Sequence, residues 1–177
     1  MLDRPFPASW TVRQARDAYL AENGFTVEGY ADAWTEASFF GIPFKVPNTP
    51  RHRWAIKLHD LHHVATGYGT EIAGEGEISI WERRRGLRAL GVYVATIIAL
   101  GSLTGALLAP RRALAAWRAS GRGRTSLFSC GDANYEALLA LTVQQLRTKL
   151  GVPQEGLVTA RALHSRAPKL ALGSPLR

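Results

Sequence analysis

The sequence predicts a mainly α-helical single domain, with a metal site between two consecutive helices and an apolar groove beside it. Three observations carry that expectation. Helix starts are written plainly, as capping boxes at Thr11-x-x-Gln14 and Thr142-x-x-Gln145 and as an N-cap followed by proline at Thr49-Pro50. Trp54, Leu58, Leu61 and Ala65 repeat at core spacing, while His52, Ile56, His59 and His63 form a separate stripe. Finally, residues 89–109 run without a single charge, which suits a helix about 30 Å long. At 177 residues the chain is long enough to bury a core as one domain, placed at residues 1–153, with a loosely ordered tail over 154–177.

Taken in order, a first helix opens at Thr11 and stops at Asn23-Gly24. Residues 25–48 are less regular, and a short β-hairpin is expected near residues 35–46, around Gly41 and bounded by Pro43 and Pro47. The helix from Pro50 runs to about Thr66. Thr70 is the expected cap of the next helix, which carries Glu71, Glu75 and Glu82 on roughly one side. Gly74 and Gly76 weaken that helix but would let it approach its predecessor. After Arg88 comes the uncharged helix, long enough to span a bilayer and carrying Gly101-x-x-x-Gly105. Its small and hydroxyl residues, and arginines on both flanks, favour a buried or interfacial helix lining a groove over a true span. Residues 118–124 read as a loop. Ser129 or Asp132 would cap a final helical region, which Gly151 stops. His164 falls in the tail and carries no role.

Charge is distributed unevenly. Residues 1–82 hold 7 basic and 11 acidic side chains, whereas residues 83–131 hold 9 arginines and no acid. A basic block can serve nucleic acid, but this one encloses the apolar helix and lacks interleaved aromatic or polar base readers. Nucleic acid is therefore not the expected partner. Arginines at both ends of an apolar helix suit the headgroups of an anionic membrane surface. Cys130 is alone, so no intrachain disulfide can form. The opening MLDRPFPASW has neither basic leader nor apolar run, which points to a cytoplasmic protein, peripheral on the inner face of the cell membrane. Exposed apolar helices would favour a homodimer.

The chemistry concentrates in HDLHHVATGYGTEIAGE, residues 59–75. On a helix His59, Asp60 and His63 fall within an arc of about 100°. Gly67-Tyr68-Gly69 then turns the chain so that Glu75 can join them. Imidazole nitrogens and carboxylate oxygens converging from one side suit a divalent metal, iron or zinc, with positions left open for water or substrate. Asp60 can serve either as a ligand or as the partner of a ligand histidine's other nitrogen. His62 can replace a ligand or pack. Glu71, one turn before Glu75, is the candidate general base. Tyr68 would orient a substrate or pack over the turn, and His52, about 10 Å from His59, would line a pocket.

His59-Asp60-x-x-His63, eleven residues, then Glu75 resembles the signature of the ubiquinone (coenzyme Q) biosynthesis protein 4 family. Residues 135–151, YEALLALTVQQLRTKLG, are similar to that family's closing segment. The two segments cover roughly a fifth of the chain. The resemblance implies a helical, membrane-associated protein acting on a polyprenylated quinone precursor. Its implied role is oxidative decarboxylation of the head-group ring, or organisation of other quinone-biosynthesis proteins. The metal would hold the ring hydroxyl or carboxylate, the tail would lie along residues 90–108, and Arg111 and Arg112 would hold the bilayer. Two other classes remain open: a non-catalytic lipid-binding or scaffold protein, and an HD-type phosphohydrolase, whose further ligands would have to come from His52 and the distant Asp132.

Overall fold

A computed structural model describes residues 3–39, 42–121, 126–130 and 134–158. The expected turn at Gly41, Asp132, most of the loop after Arg118 and the tail from residue 159, with His164, lie outside them. The described chain is mainly helical, as predicted, with helices α1 (Val12–Glu22), α2 (Pro50–Thr66), α3 (Ile72–Arg85), α4 (Gly91–Leu108), α5 (Pro110–Ala119), α6 (Tyr135–Ala140) and α7 (Val143–Leu150). An antiparallel hairpin joins β1 (Trp34–Phe39) to β2 (Ile42–Pro47), with Trp34 opposite Pro47 and Phe39 opposite Ile42.

The capping signals behave as written. Thr11 and Thr142 each accept the backbone N–H three residues on, and Gln14 and Gln145 reach back to the N-cap N–H. The two caps also pair with each other. Val12 N–H donates to Leu141 O and Val143 N–H to Trp10 O, both at 2.8 Å, so the starts of α1 and α7 are tied together. Thr49 caps α2 through the His52 N–H, with Pro50 in the first turn. Gly67 ends α2 at φ 81°, a left-handed conformation that a side chain would strain. Its carbonyl accepts the Arg4 N–H at 2.9 Å.

Other starts differ from expectation. Thr70 does not cap α3, because its hydroxyl bonds Asn23 at 2.5 Å; Glu71 occupies the N-cap position without a side-chain cap. Asn134, not Ser129 or Asp132, caps α6 by accepting from the Glu136 and Ala137 N–H groups. Leu157 and Val158 are buried in the core, so the packed domain continues past residue 153.

Helix α3 packs chiefly on α4 and α5, while α2 packs on α1 and α7. Gly76 does not bring α3 to α2 as expected. It faces α4, where a Cβ would stand 2.3 Å from Gly105 Cα, and Gly74 instead meets the Gly69 carbonyl. The small pair in α4 thus seats against α3, with Gly101 over Ser79. Side chains rather than backbone fill the space between α2 and α3, and that space holds the site.

Helix α4, with the turn before it (residues 88–108), is long and apolar enough to cross a membrane by length and composition. It is not a buried helix. Val94, Ile98, Ser102 and Gly105 face the protein, whereas Val92, Leu100, Leu103, Leu107 and Leu108 are exposed. Ala109 ends α4 and Pro110 opens α5, since the residue before a proline disfavours helix. Part of the basic block is structural. Arg85 is buried and donates to the Ser120 and Leu150 carbonyls. Arg112, expected at the bilayer, binds Asp3, Glu71 and Glu77 instead. Arg83, Arg88, Arg111 and Arg118 remain exposed.

Candidate metal centre

Helix α3 returns along α2, so that Glu75 in its first turn meets the last two turns of α2. His63 Nε2 and His59 Nε2 stand 3.1 Å apart, one turn from each other on α2. The Glu75 carboxylate lies 3.4 Å from His59 and 3.5 Å from His63. A single ion about 2.0–2.1 Å from each donor would hold neighbouring ligands roughly 3.0–3.4 Å apart, so the three atoms are spaced for one metal. Among the described residues, His59, His63 and Glu75 are the group that can hold an ion. His63 is closed off, while 23% of the His59 side chain and 41% of the Glu75 side chain are exposed. The site is therefore open on the Glu75 side, as a catalytic site with free coordination positions needs to be.

Both rings are turned by their other nitrogens. His63 Nδ1 is 2.9 Å from the Tyr68 carbonyl, and His59 Nδ1 is 2.9 Å from Glu82 Oε1. A carbonyl or carboxylate only accepts, so each Nδ1 carries the hydrogen and each Nε2 offers a lone pair to the centre. Tyr19 stacks on the His63 ring at 5.4 Å and fixes its plane. Burial alone would lower the His59 pKa, but Glu82 and Glu75 reverse that and raise it well above the usual value. Burial opposes charge on Glu75 and Glu82 as well. The histidines outweigh it, holding the Glu75 carboxyl well below the usual range and bringing Glu82 down to about 2.

The other expected site residues are placed as follows. Asp60 stands outside the converging group. Buried, it accepts a hydrogen bond from Tyr30 Oη at 2.6 Å, and burial raises its pKa against the pull of His59 and His63. His62 is fully buried and packs. Its Nε2 accepts the Leu127 N–H at 2.9 Å and its Nδ1 donates to Glu82 at 2.7 Å, so neither nitrogen is available. The Tyr68 side chain is buried in the core and does not border the pocket, so that residue acts on the site through its carbonyl. Glu71 does not face the metal group, because Arg112 Nη1 holds its carboxylate at 2.8 Å. At the N-cap it has left the helical register that would have stacked it over Glu75. His52 does line the pocket.

That pocket is a cavity of about 190 Å³ beginning at His59 and Glu75. Its walls are Ala55 and Ile56 of α2, Ser79 of α3, Val94, Ile97, Ile98 and Gly101 of α4, and Phe128. A largely apolar chamber, with Ser79 and His52 as its other polar lining, thus opens directly onto the candidate ligands, with α4 as its far wall. Glu82 is the residue whose role the sequence left unassigned. It lies seven residues, two helical turns, after Glu75, and that spacing was the available signal. Nothing in the sequence marked Tyr19, Tyr30 or the Tyr68 carbonyl as partners of the motif.

Comparison with known proteins gives no match: no family model, no curated protein and no solved structure is similar to this chain at a significant level.

Proposed function

We propose that the protein is a metal-dependent, membrane-associated enzyme of prenyl-quinone metabolism, acting on the aromatic head group of a polyprenylated precursor. The observation that carries this reading is the convergence of two Nε2 lone pairs and the Glu75 carboxylate at the mouth of an apolar cavity. The motif His59-Asp60-x-x-His63-x11-Glu75 adds the resemblance to the coenzyme Q biosynthesis protein 4 family, and with it the proposed reaction, oxidative decarboxylation of the ring with dioxygen as oxidant.

A bound metal would supply Lewis acidity and, if iron, redox chemistry; zinc suits the same donors without the redox step. The chain supplies the rest. Glu82 and the Tyr68 carbonyl keep both imidazoles aimed, and Glu75, on the open side, leaves room for a ring hydroxyl or carboxylate. The apolar walls exclude water from the ring. The cavity is large enough for one substituted ring and too small for a polyprenyl tail, since about 150 Å³ already accommodates benzene. The tail would therefore stay outside, along the exposed leucines of α4 and in the lipid, with Arg88, Arg111 and Arg118 available to anionic headgroups. Placement on the cytoplasmic face of the membrane, contact with other quinone-biosynthesis proteins and a homodimer belong to the same proposal.

Elemental analysis of purified protein beside His63→Ala and Glu75→Ala tests it. Near-stoichiometric iron or zinc, lost in both variants, is expected. Protein that takes up no metal, even when reconstituted under reducing conditions, would rule out the enzymatic reading and favour a lipid-binding protein.

A further inference from the structure

The two candidate ligand histidines are aimed by different means. Glu82 takes the His59 Nδ1–H directly, whereas the His63 Nδ1–H goes to a backbone carbonyl, that of Tyr68. A carbonyl that aims a ring must itself be held. The Tyr68 C=O and the Gly69 N–H belong to one planar peptide unit, so they point in opposite directions and turn together. Rotating that unit changes the φ of Gly69, and glycine accepts either sign of φ. Local sequence therefore leaves the carbonyl free to turn away from His63, and whatever binds the Gly69 N–H decides where it points.

That partner is Asp3. Its Oδ1 accepts the Gly69 N–H at 3.1 Å, from 66 positions earlier in the chain. The next residue helps, because the Arg4 N–H donates to the Gly67 carbonyl at 2.9 Å. Residues 3 and 4 thus grip the turn on both sides of Tyr68. Asp3 is held in its turn by α5. Arg112 Nη2 lies 3.0 Å from its Oδ1 and 3.1 Å from its Oδ2, and the same guanidinium binds Glu71 and Glu77. From the other side α3 closes on the turn, since a Cβ at Gly74 would fall 2.2 Å from the Gly69 carbonyl.

A continuous line of hydrogen bonds therefore runs from the Asp3 carboxylate through the Tyr68–Gly69 peptide to His63 Nδ1. Negative charge at the N–H end polarises the peptide and makes its oxygen the stronger acceptor. A stronger pull on Nδ1–H makes Nε2 the better metal donor. His63 receives through one peptide what Glu82 gives His59 by contact. We infer that Asp3 is a positioning residue of the metal centre, which aims and strengthens the His63 imidazole through the Tyr68–Gly69 peptide. The inference rests on the metal reading above and needs no contact between Asp3 and the ion.

Zinc affinity, read by competition with a chelator, tests it together with proton NMR of the zinc-loaded protein. Asp3→Ala should weaken zinc binding about tenfold, the lower end of what losing a ligand's hydrogen-bond partner costs. It should also speed exchange of the His63 Nδ1–H with water and leave that of His59, held by Glu82, unchanged. Asp3→Asn keeps an accepting oxygen without the charge, so it should fall between the two, and it serves if the alanine variant folds poorly. Glu22→Gln breaks the neighbouring ion pair of the same segment, to Arg4, and should change neither readout. Wild-type affinity and exchange in Asp3→Ala, or equal losses in Glu22→Gln, would overturn the inference and leave the metal site standing. Failure of wild type to take up zinc would instead overturn the metal reading and this inference with it.

Discussion

His59 and His63 meet nitrogen to nitrogen, Nε2 to Nε2 at 3.1 Å, and neither neutral ring has a proton to offer the other. Both have spent their N–H on the Nδ1 side, toward Glu82 and the Tyr68 carbonyl. Two lone pairs at that separation repel, and the Glu75 carboxylate beside them adds a third acceptor. The arrangement calls for a positive charge in the middle. Without metal, Glu82 and Glu75 favour a proton on His59, raising its pKa well above 6.5 against the effect of burial.

Metal binding must therefore displace a proton. Near neutral pH the apparent affinity should rise by about tenfold per pH unit, until the pH exceeds the raised pKa of His59. Calorimetric titration of metal-free protein with zinc in buffers of different ionisation enthalpy should show release of about one proton per ion. An affinity that is flat between pH 6 and 8 would place the proton, and hence the metal, elsewhere.

Glu82 would act on a bound metal through His59. Glu82→Gln keeps the shape and one accepting oxygen but removes the charge that makes the imidazole a strong donor. Metal affinity, read by competition with a chelator, should fall 10- to 100-fold while the fold is retained. Glu82→Ala should also destabilise the protein, by about 3–5 kcal/mol, because it leaves the Nδ1–H groups of His59 and His62 buried without an acceptor. Unchanged affinity in Glu82→Gln would reduce Glu82 to a packing role.

The same pair sets opposite pH dependences for the metal-free and metal-bound protein. The Glu82 pKa falls from 4.5 to about 2 on folding, so its contribution is complete above pH 4.5 and is lost as pH drops through 2. The His59 pKa rises on folding, so its contribution is complete below 6.5 and is lost as pH climbs through the raised value. From this pair, metal-free protein should be most stable between about pH 4.5 and 6.5. Metal-loaded protein should instead gain stability through neutrality, as the competing proton is removed. Urea midpoints against pH, with and without a chelator, would separate the two curves; parallel curves would contradict the coupling.

Much of this was legible beforehand, because it is local. A capping box needs only residues three apart, which is why the starts of α1, α2 and α7 read correctly. The His59–His63 pair needs only one turn of helix. What was not legible depends on chain brought from far away. Glu71 looks like a second carboxylate over the metal until Arg112, 41 positions later, draws it aside. Arg112 looks like a membrane contact until Asp3, Glu71 and Glu77 surround it. Thr70 looks like a cap until Asn23 takes its hydroxyl. Gly76 signalled a close approach, but sequence could not say that the partner was α4.

That approach is itself testable. A Cβ at Gly76 would fall 2.3 Å from Gly105 Cα, against backbone that cannot swing away. Gly76→Ala should force α3 and α4 apart and destabilise by about 1–3 kcal/mol, although alanine is the better helix former. Gly29→Ala, whose Cβ meets nothing nearer than 3.7 Å, is the control. Since α4 is the far wall of the cavity, the Gly76 variant should also weaken binding of a small aromatic acid such as benzoate to cobalt(II)-loaded protein, read by its visible spectrum. A stable Gly76→Ala protein would mean that the two helices are not in contact there.

Leu100, Leu103 and Leu107 lie on the solvent side of α4, one helical turn apart, and are 48–62% exposed. Burying such side chains in lipid is worth about 1.5–3 kcal/mol each when complete, so one of them should shift partitioning by roughly tenfold or more. Leu103→Glu also places a carboxylate where anionic headgroups would repel it. Wild-type protein is expected to sediment with phosphatidylglycerol vesicles, and less so in high salt, because Arg88, Arg111 and Arg118 contribute by charge. Leu103→Glu and Leu107→Glu should release it while leaving metal content and the urea midpoint unchanged, as both side chains face away from α3 and the cavity. Sedimentation that persists in both variants would show that α4 does not meet the membrane. The protein would then have to draw its substrate from water through the open side at Glu75.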